Sequence, residues 1–300
     1  MASSDCSRPT HWCSPIKIER ARPLLGTTVT VHVECAAEAE AHRAIDAAFT
    51  AMTDVHARMS FHEADSDLSR IHAAAPGQRV MVDAQTAEVL REALLLSEHT
   101  RGAFDVTVAA QLVTWGLLPA PRGDAALVAG ANWKDIDIDD KDGVRLRRPL
   151  WIDLGGIAKG YAVDRGVDAL RVHGIKHACI NAGGDLRTLG EGPHFVAIAT
   201  DERTPSHYPV LELGEASMAS SSGRAFSAVG KGPHVHGRRR YSMGLTQSVT
   251  VVAGQCMHAD ALTKVVMALG MQSADLLRHF DAVAYLQDAT GDWTQIGASV

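Results

Sequence analysis

Trp151-Ile-Asp-Leu-Gly-Gly-Ile-Ala-Lys-Gly-Tyr-Ala-Val-Asp164 decides how the rest of this 300-residue chain is read. Leu150 to Leu154 reads as a short buried strand, Gly155-Gly156 as a turn, and Ile157 onward as a helix that Gly174 stops. The two glycines let the backbone turn sharply or come close to a ligand without a Cβ in the way. The turn presents N–H groups at a helix start, where anions bind. Lys159 places a positive charge in the first turn, where the helix dipole favours a negative one, so a lysine there makes most sense facing an anion. The same residues also fit an ordinary strand–turn–helix junction with a solvated lysine. The glycine spacing matches neither a P-loop nor the dinucleotide fingerprint. Ala158, Ala162, Gly166 and Ala169 form a stripe of small residues, which lets the helix pack closely on a sheet.

Outward from this stretch, composition narrows the class. A hydrophobic content of 46% over 300 residues is ample for a sizeable core, as one domain or two intimately joined lobes over residues 23–300. The net charge of −6, with both signs scattered, argues against nucleic acid as a partner. No apolar run is long enough to span a membrane. Residues 1–20 lack the apolar centre of a secretory signal, so the chain is expected to be cytoplasmic or to have had a leader trimmed away, and residues 1–22 read as a loose polar arm. Cys6, Cys13, Cys35, Cys179 and Cys256 have no metal-type spacing and read as reduced thiols, Cys256 as a buried filler.

Along the chain, Thr27 to Val33 alternates as a strand with one buried face. Ala36 to Met59 reads as a helix with Ala44, Ala47, Ala48, Ala51 and Met52 inward. Ser66 caps a short helix in a polar connector, Gln78 to Val82 is a strand, and Asp83 caps a helix to about Glu98. Residues 119–132 read as a linker. Lys134 to Ile138, Val144 to Leu146 and Leu150 to Leu154 then suggest a meander. Strands follow at His177 to Asn181, Phe195 to Ala199, Val210 to Leu213 and Ser248 to Val252, with residues 214–243 irregular between them. A helix from His258 to Leu269, a last helix and a strand from Ala282 to Leu286 close the chain. The pattern predicts an α+β protein with mixed or antiparallel sheets flanked by helices.

Six stretches, taken in order, resemble the FAD:protein FMN transferases, the ApbE-type flavin transferases. They are Leu24-Leu-Gly-Thr-Thr28, Met59-Ser-Phe-His-Glu-Ala-Asp-Ser-Asp-Leu-Ser69, Gly102-Ala-Phe-Asp105, Asp153 to Asp164, Asn181-Ala-Gly-Gly-Asp185, and Ser248 to Ala253 with Cys256-Met-His-Ala-Asp-Ala-Leu262. The resemblance implies a T-fold-like architecture and an enzyme that splits the pyrophosphate of FAD. Such an enzyme passes FMN to a threonine or serine of an acceptor flavoprotein and releases AMP. Phosphoryl transfer of this kind is mainly positioning and charge neutralisation. By resemblance Leu25, His62, Ala103, Phe104, Asp105, Asp153, Lys159 and His236 line the flavin site. His234 or Asp260 is the implied base. Hydrolysis of FAD to FMN and AMP, or FAD binding without chemistry, are the alternatives.

The chain departs from the family at three points. His62 stands where a phenol is more common, and Gly237-Arg238 replaces an Asp-Pro turn after His234. The basic loop Arg238 to Arg240 fits contact with a phosphate or an acceptor, and fits plain solvation as well. Magnesium is implied on the Gly156 carbonyl, Asp260, and oxygen groups three and four residues further along the helix. Those positions hold Thr263 and Lys264, and a protonated lysine cannot ligate a metal. The expectation is magnesium with a weakened or rearranged shell on Gly156, Asp260 and Thr263; the alternative is that the Lys264 ammonium carries part of its charge.

Overall fold

The sheet begins with a hairpin. In the computed structural model, which describes residues 16–121, 127–198 and 209–297, β1 (Ile16–Leu24) pairs antiparallel with β2 (Thr27–Cys35). Its two-residue turn puts Leu25 and Gly26 at φ 56° and 73°, the geometry that matches strand twist. A leucine reaches that region only at a cost of about 1–2 kcal/mol. Residues 16–22 are therefore not a loose arm. β1 is an edge strand with an almost wholly exposed set of side chains, ordered by its ladder to β2 rather than by an apolar face, which is why its sequence looks unstructured. Residues 1–15 of the expected arm lie outside the described residues.

Helix α1 (Glu38–Met59) follows, then α2 (Asp67–Ala73), capped by Ser66, whose Oγ accepts from the Ser69 N–H at 3.1 Å. Next come β3 (Val80–Met81), α3 (Ala84–His99) with Asp83 as its cap, and α4 (Ala109–Thr114). β4 (Ile136–Ile138) and β5 (Gly143–Leu146) join β3 in a small sheet of order β3-β5-β4. The expected third strand at Leu150 to Leu154 does not form. Its backbone groups go elsewhere: the Ile152 N–H donates to His72 Nε2 at 2.8 Å and the Asp153 N–H to the Val106 carbonyl at 2.8 Å.

Helix α5 (Ala158–Val172) then leads to β6 (His177–Ala182), β7 (Asp185–Leu189), β8 (His194–Ala197), β9 (Val210–Leu213), β10 (Ser217–Ser222) and β11 (Ser248–Ala253). Ala199, the expected end of β8, lies outside the described residues. Helices α6 (Cys256–Leu269) and α7 (Ala274–His279) and strands β12 (Val283–Gln287) and β13 (Trp293–Ile296) complete the chain. Among the described residues no helix is long and apolar enough to cross a membrane.

The main sheet has eight antiparallel strands in the order β1-β2-β6-β7-β10-β11-β12-β13. On one face Val29, Val31 and Val33 of β2, Ala178 and Ile180 of β6, and Val249 and Val251 of β11 are fully buried in the main core. Helices α1, α5 and α6 supply the other half of that core through Ile45, Met52, Val163, Val167, Leu262 and Val266. A smaller cluster on the opposite face joins Leu186, Met218, Val252 and Val283 to Ile198 and Leu213. β10 lies in the middle of the sheet although its sequence, Ser-Met-Ala-Ser-Ser-Ser, reads as irregular. Small side chains there let α6 approach closely, and their hydroxyls are satisfied: Ser220 bonds Thr250 and Ser221 bonds Thr263, each at 2.8 Å.

Candidate active site

The site is organised by the crossing of α5 over α6. A Cβ on Gly160 would stand 2.2 Å from the Cys256 carbonyl oxygen, so glycine is what allows the two helices to touch. Asp164, one turn further along, caps α6 from outside: its oxygens accept from the N–H groups of Cys256 at 3.0 Å and Met257 at 2.9 Å. The residue before α6, Gln255, supplies no side-chain cap of its own, so this carboxylate serves the donors at the helix start. Arg187 holds Asp164 in place at 2.6 Å. The first turns of α5 and α6 are thereby fixed against each other.

Above this crossing opens a cavity of about 850 Å³. Val55 and Met59 of α1, Phe104, Val108, Leu112 of α4, and Leu117 and Leu118 make an apolar wall. Asp153, Gly156, Lys159, Ser220 to Ser222, His234 and Lys264 make a polar one. Of the residues expected to bind the cofactor, Leu25, His62, Ala103, Phe104, Asp105, Asp153 and Lys159 all line this space, and so does the expected base His234. Sequence reasoning missed Gly183 and Ser220 to Ser222. Gly183 was legible, since it lies in the Asn181 to Asp185 stretch; its φ is 63° and a Cβ would meet Thr27 Oγ1 at 2.4 Å. The serines carry no periodicity that would mark them.

Lys159 is ion-paired rather than simply solvated. Its ammonium pairs with the carboxylate of Asp185, a fully buried residue whose oxygens have no other partner among the described residues. Burial holds the Lys159 pKa below its ordinary value. The backbone of the glycine turn is less available than its sequence suggests. The Gly155 N–H donates to Asp153 Oδ1 at 3.0 Å, the Ile157 and Ala158 N–H groups to the Leu154 carbonyl, and the Gly160 N–H to Asp260 Oδ2 at 3.1 Å. Charge on this wall therefore comes chiefly from side chains.

His236 is corrected by the structure. It is buried, 3% exposed, and its ring folds over its own tight turn, where Nδ1 accepts from the Arg239 N–H at 3.4 Å. It does not line the cavity. The loop it belongs to is nevertheless fastened to the cavity wall. The Gly237 N–H donates to the Ala103 carbonyl at 2.8 Å, and Arg240 donates to Asp105 Oδ2 at 3.2 Å and Thr107 Oγ1 at 2.9 Å. Asp105 also accepts from the Thr107 N–H at 2.8 Å, so its oxygens serve the wall rather than the cavity. Burial raises the Asp105 pKa, against the opposing effect of Arg240.

Asp260 and Thr263 lie beneath the cavity floor, both fully buried. Asp260 Oδ2 is taken by Gly160, and Oδ1 is in contact with the Lys264 ammonium, which also donates to the Asp260 carbonyl at 3.1 Å. Burial would push the Asp260 pKa up, but the charges of Lys264 and Lys159 prevail and hold it low. Thr263 Oγ1 donates to the Asp260 carbonyl at 2.7 Å and pairs with Ser221 at 2.8 Å. This arrangement does not fit magnesium on Gly156, Asp260 and Thr263: the Asp260 and Thr263 oxygens already hold hydrogen-bond partners, and the Lys264 side chain runs beside Gly156 with its ammonium on Asp260 Oδ1. Among the described residues no three His, Cys, Asp or Glu side chains converge as a metal cluster. Asp260 is equally unsuited as a base, being buried and engaged at both oxygens. His234 faces the cavity, and burial together with the Lys264 charge depresses its pKa to about 3.

The profile of the ApbE family matches residues 25–286, a span that includes every residue of this cavity. The chain belongs to the ApbE family. This ApbE-family chain is 28% identical over 293 residues to the FAD:protein FMN transferase of Vibrio cholerae, covering 88% of this chain and 84% of that protein. It is 30% identical over 249 residues to the FAD:protein FMN transferase of Haemophilus influenzae, covering 74% and 71% respectively. In fold it is similar to the solved flavin transferase ApbE of Vibrio cholerae, with a TM-score of 0.80 at 24% identity over 95% of this chain and 98% of that one. The ApbE protein of Thermotoga maritima is similar at a TM-score of 0.80 and 24% identity, over 94% of this chain and 97% of its own. The ApbE family thus accounts for the α+β architecture of antiparallel sheets and helices.

Proposed function

We propose that this chain transfers the FMN moiety of FAD to a threonine or serine hydroxyl of an acceptor protein, forming a phosphoester and releasing AMP. The observation that carries this reading is the cavity of about 850 Å³ in which an apolar wall faces a wall bearing two lysines, Lys159 and Lys264. A flat, mostly apolar ring system suits the first wall and a doubly charged pyrophosphate the second. The names of the curated relatives point the same way.

In the proposed reaction the acceptor hydroxyl oxygen attacks the FMN-side phosphorus. A new P–O bond forms, the P–O bond to the bridging oxygen breaks, and its electron pair leaves with AMP. Lys159 and Lys264 offset the charge on the phosphate oxygens as the bond breaks. The hydroxyl proton goes to His234, the neutral base exposed to the cavity. A pKa of about 3 makes it a weak base in the empty site. The negative charge of a bound pyrophosphate opposes the Lys264 field and raises it, so the base strengthens once substrate is in place.

Incubation with FAD and a candidate acceptor protein tests the proposal. AMP together with a flavin-sized mass increase on the acceptor is the expected result. AMP alone would make the chain a FAD hydrolase, and intact bound FAD would make it a binding protein.

A further inference from the structure

We propose that Lys264 is a tethered cation that takes the place of a divalent ion at this site, so that the chain binds its phosphate-bearing ligand without a metal. The inference rests on the FAD reading above. Lys264 lies four residues after Asp260 on the same face of α6, and its ammonium reaches back to Asp260 Oδ1 and to the Asp260 carbonyl at 3.1 Å. Its chain runs along the glycine turn: Cε lies 3.6 Å from where a Cβ on Gly156 would stand. The methylenes of Lys264 therefore run beside the turn while its ammonium sits on Asp260, and the side chain, 13% exposed, lines the cavity.

Two further observations support this assignment. Gly160 occupies Asp260 Oδ2, Lys264 holds Oδ1, and Thr263 uses its hydroxyl on the Asp260 carbonyl and on Ser221, so a metal would meet oxygens that already have partners. Lys159 and Lys264 are each paired to a buried carboxylate, Asp185 and Asp260, but only Lys264 lies on the carboxylate expected to hold the metal. A dication entering here would have to displace one ammonium while lying close to another. A lysine supplies its charge on a covalent tether, without the reluctant dehydration that magnesium requires.

The test uses manganese alone as a paramagnetic probe and FAD as the ligand. Electron paramagnetic resonance of the purified chain titrated with Mn2+ should show no saturable site, and FAD affinity should be equal in chelator and in excess magnesium. Lys264→Thr should acquire one saturable Mn2+ site, and its FAD affinity in chelator should fall by at least about tenfold, the effect of losing one charge-assisted contact, and recover with magnesium. Lys264→Met, which adds no oxygen, should show the same loss without recovery. One saturable Mn2+ site per wild-type chain, or wild-type FAD binding that needs a divalent ion, would overturn the proposal. These two wild-type measurements decide it even if a variant fails to fold. Failure to bind FAD with or without metal would instead overturn the flavin reading and this inference with it.

Discussion

Lys159 has two partners to satisfy at different times, the buried carboxylate of Asp185 and, in the proposed function, a phosphate. Lys159→Ala should therefore cost both stability and affinity. Stranding Asp185 costs about 3 kcal/mol, the low end for a broken buried pair because Lys159 is 27% exposed. Losing the ligand contact should weaken FAD binding by roughly 10- to 150-fold, the worth of a charge-assisted hydrogen bond. Adding Asp185→Asn should restore most of the stability and none of the affinity, read by urea unfolding and calorimetric titration. Affinity that returns together with stability would mean Lys159 acts only through the fold. A second residue sets the response to acid. His72 is buried, accepts the Ile152 N–H at 2.8 Å, and has its pKa depressed from 6.5 to about 4 by burial. Between those values the unfolded chain binds a proton that the native chain refuses, so stability is complete above pH 6.5 and falls as the pH drops towards 4. The loss from this one residue is up to about 3 kcal/mol. His72→Gln keeps an acceptor but does not titrate, so its unfolding free energy should fall less between neutral and acid pH. A variant with the wild-type slope would assign the acid sensitivity elsewhere, to His234 for instance.

Helices α5 and α6 hold the charged wall together, and their contact tolerates no side chain at its centre. The obstacle to a Cβ on Gly160 is backbone, the Cys256 carbonyl at 2.2 Å, which cannot move without moving α6. Gly160→Ala should destabilise the chain by about 1–3 kcal/mol or more and displace Lys264 relative to Lys159. Gly166, two turns further along α5, offers a comparison. There a Cβ would meet side-chain atoms, Ile180 Cδ1 at 2.8 Å and Met52 at 3.2 Å, which can rotate away. The urea midpoint of Gly166→Ala should accordingly lie between those of the wild type and Gly160→Ala. Equal losses would show that the α5–α6 crossing is no tighter than the rest of the α5 packing.

At the scale of the whole molecule, the cavity is closed by residues from both ends of the chain, Leu25 in the first hairpin and Lys264 in the sixth helix. A ligand that spans it binds only the native arrangement and so stabilises all of it. FAD at a hundred times its dissociation constant should add about 2.7 kcal/mol to the unfolding free energy. For a chain of this size that is a rise in melting temperature on the order of 5 °C. FMN, which lacks the adenosine half, should raise it less at equal concentration. Equal shifts by calorimetry would count against a site that recognises both halves of FAD.

What the sequence alone determined was local order and the identity of the motifs. Apolar periodicity, caps and glycine stops placed α1, α3, α5 and α6 within two residues of their ends, and the ordered series of short stretches named most of the cavity wall. Periodicity reports which face of an element meets a core, so it is silent where an element has no such face. β1 is held by its ladder at the sheet edge, and the serine-rich β10 is buried because α6 needs small residues beneath it. Both were invisible for that reason. Only the tertiary structure decided the charge partners. Lys159 meets Asp185 across 26 positions of sequence, and His236 turns away from the cavity into its own loop. The sequence placed Lys264 four residues after Asp260 on one helix; that Gly160 would close the second oxygen, and Gly156 bring the turn against the lysine, was not legible. Those contacts follow from how closely two helices approach, a distance set by packing between segments a hundred residues apart.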